Sequence, residues 1–204
     1  MGIRSLSTAS ISTGTKRSKV WDQSAVVLNT AYESIQTVTV GSGGSSSISF
    51  TSIPSTYKHL QIRYLARSTV ANVADGYVSL RFNGDTTNGN YYFFHFLDGN
   101  GSSAAAASGG TNTIVYGGVC AGNNATANVF GGGVIDVLDY QNTFKYKVTR
   151  GLGGIDNNGS GVMRLASGNW FNTAAINEIT IGANAFGNSF TEYSQFALYG
   201  IKGA

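Results

Sequence analysis

The chain has 204 residues, of which 42% are hydrophobic and only 11% are charged, and it contains 28 glycines, one proline and one cysteine. This length suits one folded domain with an additional segment, because a domain typically takes about 100–200 residues. The single cysteine, Cys120, excludes an intramolecular disulfide and a cysteine-rich zinc site.

The net charge of +3 is concentrated at the start of the chain, where residues 1–30 hold four basic side chains and one acidic one. The stretch "STASISTGTKRSK" has neither strand alternation nor a helical stripe, which predicts an extended N-terminal arm over residues 1–30. No apolar run follows its basic residues, as a secretory signal would require, and no stretch approaches the roughly 18 apolar residues of a membrane span. We therefore expect folding in a cytoplasm.

A partner surface is the expected binding site of the arm. The candidate contact residues are Lys16, Arg17, Lys19 and Trp21. Trp21 would be the main anchor, because a buried aromatic side chain flanked by charges is a typical hot spot. The alternative is that Trp21 packs on the chain's own domain. The neutral remainder of the chain offers no aromatic platform with interleaved basic residues, so an acidic protein surface is favoured over nucleic acid.

From Ser34 onward, alternating apolar and polar residues predict β-strands. The segments "KHLQIRYLA" and "YVSLRFN" show this alternation most clearly, with Ser79 expected on the outward face. The residues expected in the core from these two segments are Leu60, Ile62, Tyr64, Val78, Leu80 and Phe82.

Further strands are expected at residues 113–119, 132–140, 144–150, 162–167, 176–182 and 194–201. The alanine run "SSAAAASGG" is interpreted as a flexible loop because of its serine and glycine flanks. About ten short strands without a long helical stripe predict an all-β fold. We expect an antiparallel β-sandwich, specifically a jelly roll, over residues 31–204 after the extended arm.

Groups that could carry catalysis are scarce. No GxSxG, HExxH or phosphate-binding motif is present, and His59 and His95 lie on separate strands, where structural roles are expected. Asp136 and Asp139 are three residues apart on a strand, so they should point to opposite faces and cannot act as an acid–base pair. We expect a protein that is not an enzyme and has no cofactor.

The segment "DNNGSG" matches the beginning of a calcium loop. Residue 167, at the twelfth position, is serine where a bidentate glutamate is required, and the flanking residues favour strands over helices. A tight turn is therefore expected here, and no metal site.

Glycan binding remains a hypothesis for the aromatic and amide side chains near strand ends. The candidate contacts are Tyr91, Tyr92, Asn169 and Trp170. The same aromatic residues could instead belong to the core or to a subunit interface, and the sequence leaves the two interpretations open.

The closing segment "YSQFALYGIKG" is apolar on both faces of a strand. Phe196 and Leu198 share one face, while Tyr199 and Ile201 lie on the other. A strand that is apolar on both sides must be covered on both sides. One face should fill the core, and Tyr199 and Ile201 are candidate oligomer contacts.

Several segments together resemble the virion structural proteins of tailed bacteriophages. They are "SIPSTYKHLQIR", "VSLRFNGDT", "GVIDVLDY", "NNGSG", "NWFNTAAINEITI" and "SQFALYGIKG", in this order through most of residues 50–203. The resemblance implies a homotrimeric jelly roll that is attached to the particle by its N-terminal segment. It provides no catalytic or binding residues to carry over.

The functional expectation is a capsid-surface decoration protein, of the cement or head-fibre type. Its arm would bind the major capsid protein or another virion protein and stabilise the shell through many repeated contacts. The alternative is a tail-fibre or receptor-binding protein that contacts host surface polysaccharide. Both place the chain in the virion, assembled in the host cytoplasm, without nucleic-acid or membrane binding.

Overall fold

The computed structural model describes residues 31–203, which form thirteen β-strands and no helix. The large sheet contains β1 (Tyr32–Thr39), β3 (His59–Ala66), β5 (Tyr91–Gly99), β6 (Ala104–Ser108), β7 (Thr111–Asn112), β9 (Gly131–Val137), β10 (Lys147–Asp156), β11 (Gly161–Trp170) and β13 (Gln195–Ile201). The small sheet contains β2 (Ser47–Phe50), β4 (Asp75–Phe82), β8 (Val115–Ala121) and β12 (Ile179–Ala183).

The order of the strands is that of a jelly roll with one inserted hairpin and two further strands, β1 and β13, at one edge of the large sheet. The small sheet runs β2-β12-β4-β8 and the large sheet runs β1-β13-β3-β9-β10-β11-β5-β6, with β7 beside β5. Early strands thus pair antiparallel with later ones, as β2 with β12, β3 with β9, β4 with β8 and β5 with β6. The hairpin of β10 and β11 widens the large sheet between β9 and β5. The predicted all-β antiparallel sandwich is confirmed.

The core lies between the two sheets and follows the predicted alternation. All of the core residues expected from β3 and β4 are buried, at 0 to 6% exposure: Leu60, Ile62, Tyr64, Val78, Leu80 and Phe82. At the C-terminus, Phe196 and Leu198 are fully buried in the same core. The closing strand β13 therefore contributes one face to the core, between its neighbours β1 and β3.

Two local expectations are wrong. Ser79 is buried, because the turn after β12 covers it and the backbone N–H of Ala185 donates to its Oγ at 2.9 Å. The alanine run is strand β6, paired with β5 from His95↔Ser108 to Gly99↔Ala104. Its side chains are exposed, so main-chain pairing with a neighbouring strand forms this element without burial of its side chains.

Glycines let the two sheets approach closely around Tyr64. The hydroxyl of Tyr64 donates to the carbonyl oxygen of Val119 in β8 at 2.9 Å. Gly118, Gly133 and Gly153 surround this hydroxyl, and a Cβ atom at Gly153 would lie only 2.7 Å from it. The glycine content of β8, β9 and β10 thus makes room for one buried aromatic side chain.

The segment "DNNGSG" forms the tight turn of the β10–β11 hairpin, with Asp156 paired with Gly161. Asn158 and Gly159 adopt φ values of 57° and 92°, which asparagine and glycine tolerate best. The side chain of Asn157 accepts a hydrogen bond from the Thr126 backbone N–H at 2.6 Å. These contacts account for the sequence of the turn.

Candidate functional surface

The outer face of the large sheet, which points away from the core, divides into two halves of different chemistry. The upper half is the part toward the β10–β11 turn and carries mainly aliphatic side chains. The lower half is the part toward Lys147 and Trp170, where β10 begins and β11 ends, and it carries polar and aromatic side chains.

The upper half contains an aliphatic row in register across five strands. Val134 lies opposite Leu152, Leu152 opposite Leu165, and Leu165 opposite Leu97, which in turn faces Ala106 on β6. Leu152, Leu165 and Leu97 are 51%, 53% and 56% exposed. Adjacent strands lie about 4.8 Å apart, so the row is a continuous apolar strip about 19 Å long.

A second row extends the upper half toward the hairpin turn. Leu65 and Met163 are 50% and 60% exposed, and glycines separate them, because Gly132 and Gly154 stand between them in the register. A shallow depression of about 590 Å³ lies here, with Met163, Gly132 and Gly154 among its lining residues. Exposed apolar strips of this extent mark interaction surfaces on soluble proteins.

Tyr199 and Ile201, the candidate oligomer contacts, lie on the lower half and are half-buried. The ring of Tyr199 stacks on that of Tyr32 with centroids 4.8 Å apart, and Ile201 pairs with Tyr32 in the ladder. The guanidinium of Arg63 lies 5.3 and 5.6 Å from the centroids of the Tyr32 and Tyr199 rings. The chain's own β1 therefore covers part of the outer face of β13.

A network of hydrogen bonds crosses the lower half from this tyrosine pair. Gln61 accepts from the Tyr32 hydroxyl at 2.5 Å and donates to Asp136 at 2.8 Å. Asp136 also binds the Nε atom of Arg150 at 2.9 Å. Burial raises the pKa of Tyr32, which keeps its hydroxyl protonated as a donor. The charges of Asp136 and Arg150 compensate each other.

The Tyr92 depression, a cavity of about 250 Å³, lies at the other side of the lower half. It is lined by Tyr92, His95, Val148, Ser167, Gly168, Asn169 and Phe171. The rings of Tyr92 and His95 are stacked, with centroids 4.9 Å apart and planes inclined by 10°. The Oδ1 atom of Asn169 is buried and has no hydrogen-bond partner, whereas buried polar atoms normally have one.

Of the four candidate glycan contacts, the structure brings Tyr92 and Asn169 together in this depression and places the other two in the core. Tyr91 and Trp170 are 0% and 1% exposed, and their rings stack at 6.2 Å. Trp170 donates from Nε1 to Asp85 at 2.8 Å. Burial opposes ionisation of Asp85, but hydrogen bonds from Trp170 and its other donors lower its pKa overall. Tyr91 and Trp170 are therefore structural, and a glycan role for them is wrong.

The carboxylates considered for catalysis have separate partners. Asp139 lies beyond the end of β9, where it binds Lys58 and Lys145 at 2.9 and 3.0 Å. Hydrogen bonds from these two lysines lower its pKa to about 2. The Nδ1 atom of His59 accepts the backbone N–H of Asp139 at 3.0 Å. Within residues 31–203, no group of three His, Cys, Asp or Glu side chains is placed to hold a metal ion.

One polar site inside the sandwich has no counterpart in the sequence analysis. The guanidinium of Arg164 forms a two-pronged ion pair with Asp98 and donates to the Tyr116 hydroxyl at 2.8 Å. It also lies 4.4 Å from the centroid of the Phe96 ring. Desolvation opposes its charge, but the Asp98 carboxylate raises the pKa of Arg164 overall. Burial raises the pKa of Cys120 to about 12, so its thiol stays protonated.

The arm residues Lys16, Arg17, Lys19 and Trp21 lie outside the described residues. In the part of the chain that the structure covers, no helix is long and apolar enough to span a membrane. No family model, curated protein or solved structure matches this chain.

Proposed function

We propose that this chain is a non-enzymatic structural protein of a tailed-bacteriophage virion, a capsid-surface decoration protein of the cement or head-fibre type. The observation that supports an assembly role is the aliphatic row of the upper half. Its central leucines are more than 50% exposed although they lie in the middle strands of the sheet. Such a strip favours a neighbouring subunit as its cover.

In this proposal the folded domain and the N-terminal arm bind different partners. The upper half packs against another copy within a homotrimer, and the arm residues Lys16, Arg17, Lys19 and Trp21 bind the major capsid protein. The outer face of the large sheet measures roughly 900 Å², from strands about 4.8 Å apart and eight residues long at about 3.3 Å each. The upper half is about half of that area, so further surface of each subunit joins it in a standard interface, which takes about 800 Å² from each partner.

Stabilisation of a shell then follows from repetition. Each copy needs only weak contacts. Identical contacts repeated around a closed shell add their free energies, so the protein layer as a whole binds by avidity. The low charge of the body, nine basic and nine acidic residues after residue 30, leaves little repulsion between adjacent copies.

Location in the particle is the experiment that tests this function. Immunogold labelling and quantitative mass spectrometry of purified virions should place hundreds of copies on the head. A few dozen copies confined to the tail would overturn decoration and support the receptor-binding alternative. Absence from the purified virion would overturn both.

Attachment through the arm is tested by a chain that lacks residues 1–30. Added to particles without the protein, this chain should stay folded and oligomeric but fail to bind, whereas the full chain binds. Equal binding of the two would refute docking through the arm while leaving the location in the virion intact.

A further inference from the structure

We infer that the Tyr92 depression binds one neutral hexopyranose residue of an oligosaccharide. This inference goes beyond an assembly role and does not depend on where the protein sits in a virion. It rests on the size of the depression, the chemistry of its walls and the charge around it.

The size of the depression restricts the ligand. At about 250 Å³ it is smaller than the pockets of roughly 300–1,000 Å³ that hold drug-sized molecules. It is also open to solvent on the outer face of the sheet, so a ring bound there can continue into a chain of further residues. A single sugar ring within an oligosaccharide fits both properties.

The walls match the mixed character of a sugar. A hexopyranose has apolar C–H faces and a rim of hydroxyl groups. The stacked pair of Tyr92 and His95 and the ring of Phe171 provide apolar walls, and Phe171 is supported edge-on by Tyr146 at 5.6 Å. Aromatic rings combine a large contact area with few rotatable bonds, so little entropy is lost when a ligand packs on them.

The polar groups at the depression are suited to hydroxyl groups. The amide of Asn169 can both donate and accept, and the hydroxyl of Ser167 can do the same. The Oδ1 atom of Asn169 has no partner in the protein, and a ligand hydroxyl that donates to it satisfies this acceptor. Leaving such an atom unpaired is costly, so the gain from pairing it favours a polyhydroxyl ligand over an apolar one.

The charge around the depression favours a neutral sugar over an acidic one. Arg150 is the cation nearest in the register, because it pairs with Ser167 across β10 and β11. Its Nε atom is bound to Asp136 at 2.9 Å. An acidic sugar such as a uronate would therefore meet a cation whose charge Asp136 already compensates.

The test uses the full-length protein, labelled with ¹⁵N, and four neutral probes. These are the methyl glycosides of glucose, galactose and mannose, and N-acetylglucosamine, with sodium glucuronate as the acidic comparison. At least one neutral probe should shift the backbone amide signals of Ser167 and Phe171, which line the depression, saturably and with a low-millimolar Kd, and glucuronate should bind more weakly. No saturable shift with any neutral probe, or tighter binding of glucuronate, would overturn the inference.

Variants localise the binding. Tyr92→Ala removes one wall and Asn169→Leu removes the amide, and each should weaken binding about tenfold or more, the value of one lost hydrogen bond or stacking contact. Phe144→Ala removes an aromatic ring that is 89% exposed and does not line the depression, so it is the matched control and should bind like the unaltered chain. If Tyr92→Ala does not fold, Asn169→Leu decides. Unchanged affinity in a folded Asn169→Leu variant would refute the assignment.

Discussion

Gly118 in β8 lies directly against the hydroxyl of Tyr64 in β3, so that a Cβ atom at position 118 would overlap the Tyr64 oxygen. The next nearest atom, in the same ring, would be 3.1 Å away. The contact joins the small sheet to the large one at the centre of the sandwich. Steric exclusion at this point is therefore caused almost entirely by one hydroxyl group.

This relationship predicts a compensating pair of variants. Gly118→Ala should lower the free energy of unfolding by about 1–3 kcal/mol, the usual cost of overpacking a core. Tyr64→Phe removes the obstructing hydroxyl and also loses the bond to Val119, for about 1–3 kcal/mol. The double variant should lose less than the sum of the two single changes, as measured by urea unfolding.

Gly99→Ala is the matched control for Gly118→Ala, because a Cβ atom at Gly99 would meet nothing within 4 Å. Its free energy of unfolding should stay within about 0.5 kcal/mol of the unaltered value. Strict additivity of Gly118→Ala and Tyr64→Phe would show that the hydroxyl is not what excludes the side chain.

The aliphatic row predicts an oligomer that a single charge disrupts. Leu97→Glu and Leu165→Glu each place a carboxylate among exposed leucines, where the folded subunit tolerates it but an apolar interface does not. Each should raise the subunit dissociation constant at least a hundredfold, since an unpaired charge buried in an interface costs about 3 kcal/mol or more. Sedimentation velocity measures the change, and thermal unfolding checks the fold.

Ser49→Glu is the control for this prediction, because Ser49 is exposed on β2 of the small sheet. It adds the same charge to the opposite side of the sandwich and should leave the oligomer intact. An oligomer that persists in both leucine variants would exclude the upper half as the subunit interface.

Replacement of the buried Lys147 should cause a large loss of stability. It is 0% exposed, and its ammonium group donates to the carbonyl oxygens of Asn142, Lys145 and Thr173 at 2.5, 3.0 and 3.0 Å. Burial lowers its pKa. Lys147→Met should cost about 3 kcal/mol or more, because it leaves three carbonyl oxygens without this donor.

The control for Lys147→Met is Lys145→Met, because the side chain of Lys145 is 63% exposed. This change should cost no more than about 1 kcal/mol, the value of an exposed ion pair. Both are measured by chemical unfolding at neutral pH. Equal losses for the two variants would mean that the buried ammonium does not hold the loop carbonyls.

Alternation predicted the core of β3 and β4 because both strands place large apolar residues inward and polar residues mostly outward. The first part of β10, residues 147–152, departs from that pattern. Its inner face carries Lys147, Thr149 and Gly151, while Val148 and Leu152 point outward. At Gly151 the cause is steric, since a Cβ atom there would overlap the Gly117 carbonyl oxygen of β8. A prediction based on hydrophobicity alone would therefore assign the inner face of this part of β10 to the solvent and its outer face to the core.

The candidate surface was predictable only in fragments for a related reason. Aromatic and amide composition near strand ends singles out all four candidates alike, but Tyr92 and Asn169 line the depression whereas Tyr91 and Trp170 are buried. The side to which an aromatic residue points depends on a register shift between β11 and β5, between Ser167 and Asn169. Such an irregularity inverts the faces locally and leaves no signal in a single sequence.

The ion pairs of Asp139 should make the free energy of unfolding depend on pH in the acidic range. Its folded pKa is about 2, below its ordinary value of 3.8, because Lys58 and Lys145 bind the charged form. Between these two values the unfolded chain binds more protons than the folded one, so the free energy of unfolding rises with pH. The stabilisation is present above the ordinary pKa and is lost as the pH falls toward 2.

Asp139→Asn removes this charge and suits the position, since residue 139 has a φ of 49° that asparagine tolerates. At pH 6 the variant should be about 1 kcal/mol less stable than the unaltered chain, a value limited by solvent screening of the two lysines. The difference should shrink toward zero at pH 2, as measured by urea unfolding across this range. A constant difference, or one that grows as the pH falls, would show that the ionised Asp139 does not bind the lysines in solution.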